Sequence, residues 1–479
     1  MYRTIGRCLC PGTINTGGIS RVDIPYSHES ATEEIDPKTW TGPWRAITDP
    51  EQIGFYICQA NIKQYNQAEN TPFGSGYIAE VLQDVLTSDT ADALLESKLD
   101  LDQSKIPLRE TQTILEFLGQ QYTTPIQYGH INISPDEFKS TYSIVKEKTS
   151  SSLSGRHVGH YKAVLDNDSI IMVHAAMMSI PYQTGFSPSR WHQVVDVMLE
   201  KDPGQPRQHR LRIVALLESD YNQSQRIVLA RRLAHHMEDF QMVPDMQYGS
   251  RPGKLCISPV LNKVISYDVI RQTKVSGAFI ENDAIGCYDR LVNSIVFLEL
   301  RHLGFPIQLL KTIQDAWNNA VHHIKTKYGC IASYSNTCAK PLFGPGQGST
   351  TGPNLWGVLF SVIAKTLPQE VPAIFFKAVN DVLEVHSKGD AFVDDTQLGS
   401  TSTMSPGFSN PSSNTEVISV LSSLQALAQS WERLLFTTGG ALNLQKKFLD
   451  SDLMAMERWN SSNVNPGAVA GRSSSYSRI

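Results

Sequence analysis

The sequence predicts an α+β protein, and three observations support this fold class. The chain has 479 residues, of which 41% are apolar and 19% charged. This composition is that of a folded globular protein and excludes a disordered, collagen-like or coiled-coil chain. From residue 191 onward, strand-like segments alternate with helical ones, and two short strands flank Asp394 and Asp395. This order favours a sheet with helices packed on one face.

Residues 1–135 form a first region, which is predicted to begin as a loop and then become helical. Residues 1–50 are rich in Gly, Pro, Thr and Ser, which predicts a loosely ordered arm. Apolar residues then recur at three- and four-residue steps in segments 78–86 and 111–118, a spacing typical of helices. The sequence suggests no function for this region.

Residues 136–455 form the second region, with a predicted core at 190–450. Ser134, followed by Pro and two acids, predicts the start of its first helix. Segments 161–178, 225–237, 291–303 and 355–363 are also predicted helices, and segments 191–201, 212–217 and 279–282 are predicted strands. Residues 456–479 are rich in Ser, Gly and Asn and are predicted to be a disordered tail.

No signal for secretion or membrane insertion is visible. The longest apolar runs, such as 355–364, are far shorter than the ~20 residues of a membrane span. The seven cysteines show no regular spacing that would complete a zinc site, and reduced thiols are expected. We therefore expect an intracellular protein of the cytoplasm or nucleus that has no membrane partner.

The net charge of −5 conceals an asymmetry along the chain. Residues 1–110 contain 9 Lys and Arg against 16 Asp and Glu, whereas residues 201–274 contain 12 against 7. A basic face on an acidic chain suits an enzyme that holds a polyanion in one groove. A solvated surface without a partner is the alternative explanation.

Three aspartates have contexts that suggest catalysis. Asp283 follows an apolar strand, and Asp394 and Asp395 occupy the turn of a predicted hairpin. Neighbouring strands would bring these acids together, and their repulsion would be relieved by divalent cations such as Mg²⁺, which prefers oxygen ligands. Two such ions can assist an in-line phosphoryl displacement. Ordinary turn chemistry is the alternative explanation for the Asp pair.

A glycine-rich segment lies between these acids. Residues 343–356 contain four glycines and two prolines and then enter an apolar helix. Such a run predicts a tight loop whose exposed backbone could approach a base pair closely. A plain linker is the alternative.

Six segments occur in a fixed order along the chain. They are residues 197–201 with 211–216, residues 247–253, residues 283–289, residues 346–356, residues 392–395 and residues 439–446. In this order they resemble the reverse transcriptase domain of retroelements, most closely the type found in non-LTR retrotransposons. Phe392 and Val393 stand where the family more often has Tyr and Ala. The likeness covers residues 136–455 and is strong from residue 190.

The resemblance implies a fold and a metal site. The fold would be the fingers and palm of a right-hand polymerase, with an antiparallel palm sheet backed by helices and a mostly helical N-terminal region in front. Asp283, Asp394 and Asp395 would be catalytic and would hold two Mg²⁺ ions, with Mn²⁺ as a possible substitute. The residues after segment 439–446 are too few for an ordinary thumb, which we expect to be missing or truncated.

The resemblance also implies ligands. RNA template, nucleic-acid primer and dNTPs would be the partners, together with other parts of a retroelement polyprotein. Tyr288 would exclude a 2′-hydroxyl. The residues implied for dNTP binding are Lys201, Arg212, Tyr288, Gln347, Gly348 and Lys446. The residues considered for nucleic-acid binding, from their positive charge, are Arg226, Arg231, Arg232 and Arg251.

Three functions are compared. The first is an RNA-directed DNA polymerase, and the second is a truncated, inactive remnant that only binds nucleic acid. The third is an RNA-templated RNA polymerase, against which the bulky ring of Tyr288 argues.

Overall fold

Within the described residues, the fold combines helices with four small sheets. A computed structural model describes residues 18–26, 35–120, 131–149, 152–369, 371, 373–377, 384–402, 414–443 and 448–451. None of the helices in these ranges is long and apolar enough to cross a membrane. The predicted tail, 456–479, lies outside the described residues.

The helices and strands are numbered here in chain order. The helices are α1 (Pro50–Tyr65), α2 (Tyr77–Leu82), α3 (Asp89–Leu95), α4 (Arg109–Gly119), α5 (Pro135–Ile144), α6 (Val158–Lys162), α7 (Asp168–Thr184), α8 (Ser219–Gln225), α9 (Arg232–Asp239), α10 (Ile257–Thr273), α11 (Asn293–His302), α12 (Ile307–Asn318), α13 (Gly352–Lys365) and α14 (Asn414–Thr437). The strands are β1 (Val22–Pro25), β2 (Trp44–Ile47), β3 (Gln193–Glu200), β4 (Leu211–Leu216), β5 (Gly277–Asp283), β6 (Val321–Thr326), β7 (Gly329–Ser335), β8 (Ile374–Lys377), β9 (Glu384–Ser387), β10 (Gly389–Phe392), β11 (Asp395–Thr401) and β12 (Phe448–Ser451).

The α+β prediction is confirmed, and two four-stranded sheets dominate. The first has the order β10-β11-β5-β12, is antiparallel throughout and is called the aspartate sheet here. The second has the order β4-β3-β6-β7 and is called the mixed sheet, because β3 and β6 run parallel while its other pairs are antiparallel.

Alternation along β5 and β11 gives the aspartate sheet one apolar face. Ala278 and Ile280 of β5 and Leu398 of β11 are buried in the main core, and helix α14 packs against both strands. On the opposite face, helix α10 covers part of the sheet, since Asn262 bonds to Asp390 and Lys263 pairs with Glu281. Helices therefore lie on both faces, and not on one face as expected from the sequence.

The mixed sheet packs on the N-terminal helix. Ile53 and Ile57 of α1 share a second core with Met198, Ile213 and Ile324 of the sheet. The main core likewise continues from Ala68 to Leu442. Residues before position 135 thus contribute to the same packed body as those after it. The proposed division of the chain at that position stays a prediction.

Four local predictions differ from the structure. The helix predicted at 78–86 ends at Leu82, since Gln83 has a non-helical φ of 49°. The composition of segment 1–50 predicts a loop, but β1 and β2 pair with each other because Val22 and Ile24 are buried in the second core. The predicted helix 161–178 is divided into α6 and α7, since Asn167 caps a new helix at Asp168. The helix predicted at 225–237 exists but contains a π-helical stretch at Arg226–Arg231.

Candidate active site

Strand pairing places the three predicted aspartates at one end of the aspartate sheet. Asp395 of β11 lies directly opposite Asp283 of β5. Phe392 pairs with Asp395, which leaves Val393 and Asp394 as a two-residue turn. Directly opposite residues of an antiparallel pair project from the same face. Asp283 and Asp395 therefore share a face, with Asp394 beside them in the turn.

The electrostatics of this site centre on Asp394. Burial raises the pKa of Asp394, and the negative charges of Asp395 and Asp283 raise it further, while a backbone hydrogen bond and the Cys287 thiol act in the opposite direction. Asp283 accepts a hydrogen bond from Asn443 Nδ2 at 3.0 Å. The three carboxylates are thus close enough for mutual repulsion.

The donor set of this site suits Mg²⁺. In the described part of the chain, no three His, Cys, Asp or Glu side chains are grouped as ligands for one metal ion. Mg²⁺ commonly takes only one or two protein carboxylates and completes its shell with water and substrate phosphates. Asp283 and Asp394 offer such carboxylates, and a cation would relieve the repulsion that raises the pKa of Asp394.

The turn that carries Asp394 is strained and tightly held. Val393 has a φ of 60°, a conformation that β-branched residues rarely adopt. Buried Gln247 accepts a hydrogen bond from Val393 N at 2.9 Å and donates one to Val393 O at 3.0 Å. The Trp356 indole also donates to Val393 O, at 2.7 Å. These bonds fix the turn in a conformation that the residue alone would avoid.

Gly249 is required for this arrangement. A Cβ at position 249 would lie 2.3 Å from Val393 N and 2.5 Å from a Val393 side-chain carbon. The segment at 247–253 therefore packs directly behind the turn and supports it.

The glycine-rich segment is bound to the mixed sheet. The Gln347 carbonyl accepts a hydrogen bond from Ala215 N at 2.6 Å, and a Cβ on Gly348 would lie 2.2 Å from Ala215 O. Asn222 donates to Gly348 O at 3.2 Å and accepts from Thr350 N at 3.0 Å. The loop is therefore an ordered element joined to β4 and α8, and not a plain linker.

Tyr288 lies on the other side of this loop. A Cβ on Gly344 would lie 1.9 Å from the Tyr288 carbonyl oxygen, and the Tyr288 ring is 3.4 Å from the corresponding position on Gly352. The partly buried ring thus packs on the N-terminal end of α13, next to the segment that carries Asp283.

A cavity of about 700 Å³ is lined by residues of both the mixed sheet and the N-terminal helix α1. Its wall includes Lys201, Arg212 and Gln347, three of the residues predicted to bind nucleotide, but does not include Tyr288 or the three aspartates. Partial burial, Arg212 and Arg210 lower the pKa of Lys201. This cavity is therefore suited to an anionic ligand.

A second cavity, of about 540 Å³, lies beside the Asp394 hairpin. Arg226, Arg231 and Arg251 contribute to its wall with Tyr248 and Phe392. Within it, Arg251 is paired with Glu238 and Arg231 donates to Thr141. A basic wall with exposed aromatic surface suits a single strand of nucleic acid.

One predicted residue lies elsewhere, and another is outside the described residues. Arg232 is outside this cavity and forms an ion pair with Glu137, with a further bond to Asn132 O. Lys446 lies outside the described residues. Asn443, from the same segment as Lys446, does reach the site through its bond to Asp283.

Sequence reasoning missed several polar residues that organise the site. Gln247 and Asn222 make the bonds described above, and Asp289 is buried next to Gln64 of helix α1. The second acid of the 283–289 segment was a visible signal for Asp289. Nothing in the local sequence distinguishes Gln64 from other helical glutamines.

No protein-family model matches the chain, and a search of curated proteins finds no match either.

Proposed function

We propose that the chain is an RNA-directed DNA polymerase of a retroelement, with the fingers and palm of a right-hand polymerase. It would transfer dNMP from a dNTP to a primer 3′-hydroxyl on an RNA or DNA template. The observation that carries this proposal is the pairing of Asp283 with Asp395 across β5 and β11, with Asp394 in the adjoining turn.

The residues in and around the aspartate sheet would have different roles in this reaction. Asp283 and Asp394 would hold two divalent cations, which when bound supply activation of the primer hydroxyl and neutralise charge on the triphosphate. Gln247 and Trp356 would keep Asp394 in place through Val393. Asn443 would orient Asp283.

The two cavities support the assignment of substrates. Lys201 and Arg212 make no ion pair among the described residues and are available for phosphate groups. The cavity lined by Arg226, Arg231 and Arg251 would take the template strand beside the hairpin. Contacts to phosphates would make binding independent of sequence.

Primer extension on a primed RNA template with Mg²⁺ tests the proposal. Wild type should add dNMP, and Asp394→Ala should lose activity by several orders of magnitude. Asp268→Ala, which changes an exposed aspartate on α10, is the matched control and should match wild type. No addition by wild type, or equal addition by Asp394→Ala, would refute polymerase function.

The same assay separates the two other functions. An inactive remnant would bind RNA in a salt-sensitive manner without extending the primer. An RNA polymerase would prefer ribonucleotides. If Tyr288 excludes the 2′-hydroxyl, Tyr288→Val should raise the use of ribonucleotides relative to deoxynucleotides.

A further inference from the structure

The C-terminal end of helix α1 contacts the segments that carry the candidate site. Asn61 donates to buried Asp196 of β3 at 3.4 Å. The Tyr65 carbonyl accepts from Phe343 N at 3.0 Å, at the start of the glycine-rich segment. The N-terminal region, for which the sequence suggests no function, is therefore in direct contact with the site.

A chain of hydrogen bonds continues from this helix into the segment that begins at Asp283. Gln64 Nε2 donates to Asp289 Oδ2 at 3.1 Å, and Gln67 Nε2 donates to Gln64 Oε1 at 2.8 Å. Arg290 Nη1 donates to Gln67 Oε1, and Arg290 Nε donates to Gly439 O, each at 2.9 Å. The orientation of the Asp289 carboxylate is thus set by an N-terminal residue.

The second oxygen of this carboxylate is buried without a partner in the described part of the chain. Asp289 is only 3% exposed, and its Oδ1 meets no hydrogen-bond donor among the described residues. Burial raises the pKa of Asp289 to about 6, so the group is mostly ionised at neutral pH. A buried acceptor of this kind is costly unless a donor reaches it.

The surroundings indicate which ligand supplies that donor. Asp289 lines the 700 Å³ cavity. The cavity wall has six basic side chains against three acids; the basic ones are Lys38, Lys63, Lys201, Arg212, Arg290 and Lys340. This excess suits a triphosphate. A templated enzyme accepts four bases with different donors, so a fixed acceptor must meet a group common to all deoxynucleotides, and the 3′-hydroxyl is the donor they share.

We propose that Asp289, held in position by Gln64 of the N-terminal helix, accepts a hydrogen bond from the 3′-hydroxyl of the incoming deoxynucleotide. This inference rests on the polymerase function proposed above. It makes Gln64 a positioning residue and assigns the N-terminal helix to the nucleotide site.

Discrimination between dGTP and ddGTP, which lacks the 3′-hydroxyl, tests this inference. Wild type should use dGTP at least about tenfold more efficiently in single-nucleotide extension, as expected for one hydrogen bond to a charged group. Asp289→Ala and Gln64→Ala should lose most of this preference. Asp289→Asn should also weaken it, because Gln64 Nε2 keeps the amide oxygen on its side while Gln64 Oε1 stays bound to Gln67, so that a neutral NH₂ group replaces the charged acceptor Oδ1.

Gln52→Ala, which changes an exposed glutamine of the same helix, is the control and should keep the wild-type preference. A merely structural role would lower the rates with both nucleotides equally and leave the preference unchanged. Undiminished preference in both alanine variants, with melting temperatures showing that they fold, would overturn the inference.

A binding measurement separates this inference from polymerase function. If wild type extends no primer, polymerase function fails, and dGTP and ddGTP are then titrated into wild type and Asp289→Ala by calorimetry with Ca²⁺. Tighter binding of dGTP that Asp289→Ala abolishes would support the 3′-hydroxyl contact. Equal affinity for the two nucleotides, or no binding, would overturn it.

Discussion

At the scale of single residues, the site holds carboxylates in buried positions that disfavour their ionised form. Asp394 is crowded by Asp283 and Asp395, and Asp289 is withdrawn from solvent beside Gln64. Each arrangement costs stability, which the rest of the fold must offset. Such costs concentrate at functional sites.

Asp289→Asn should change how stability depends on pH. The folded-state pKa of Asp289 is about 6, above the unfolded value of about 3.9. The folded protein therefore binds more protons between these values, and this contribution to stability is lost as the pH rises through 6. The Asn variant lacks that loss. The free energy of unfolding of the Asn variant, relative to that of wild type, should therefore rise by about 2–3 kcal/mol from pH 4 to pH 7.

Urea unfolding of both proteins across this interval measures the difference. A constant difference in the free energy of unfolding between pH 4 and pH 7 would contradict the elevated pKa.

Gly249→Ala should displace the turn that carries Asp394. The new methyl group would collide with the Val393 backbone, which cannot move without breaking its bonds to Gln247 and Trp356. We expect a loss of about 1–3 kcal/mol in the free energy of unfolding and a large loss of primer extension.

Gly357→Ala is the matched control for this substitution. A Cβ at position 357 of helix α13 meets no atom within 4 Å. Alanine is a better helix former, so this variant should gain about 0.5–1 kcal/mol. Chemical denaturation of the two variants should show opposite signs, and equal effects would contradict the close contact at Gly249.

At the scale of elements, the hairpin and the glycine-rich segment were the parts best predicted from sequence. Apolar runs interrupted by acids or by glycines leave few local alternatives, and strands β10 and β11 lie where expected around Asp394. Helix α10 and the β6–β7 hairpin were not anticipated. Helix α10 carries apolar side chains at exposed positions, so its pattern does not reveal which face meets the sheet.

Asn222→Ala should loosen the glycine-rich segment. The substitution removes the bonds from the Asn222 side chain to Gly348 O and Thr350 N. If this loop lines the nucleotide site, the KM for dNTP should rise several-fold, with a loss of about 1–2 kcal/mol in stability. Thr350→Val loses only the hydroxyl bond to the Asn222 carbonyl and should have the smaller effect. Steady-state kinetics in which Thr350→Val is the more damaging change would contradict this account.

At the scale of the whole molecule, charge is concentrated on particular surfaces. Among the arginines proposed for nucleic-acid contact, Arg226 lines the second cavity without an ion pair in the described ranges, whereas Arg232 is already bound to Glu137. Net charge along the sequence identified a basic stretch, and this stretch supplies three arginines of the second cavity. It could not identify which members are neutralised by partners distant in sequence.

Arg226→Gln should therefore weaken RNA binding more than Arg232→Gln. Each phosphate contact contributes about 1 to the slope of log K against log salt concentration. We expect Arg226→Gln to reduce the slope by about 1 and Arg232→Gln to leave it unchanged. Filter binding between 50 and 200 mM salt, concentrations chosen for a wide range of ionic screening, gives both slopes. A larger change for Arg232→Gln would reverse the assignment.

The aspartate sheet draws its strands from widely separated parts of the chain. Strand β5 begins at Gly277, whereas its outer neighbour β12 ends at Ser451. During synthesis, more than a hundred further residues must be added after β5 before both of its edges can be paired. A chain stopped by a premature termination codon ahead of β12 would expose a hydrogen-bonding edge to other molecules, and we would expect it to aggregate or be degraded.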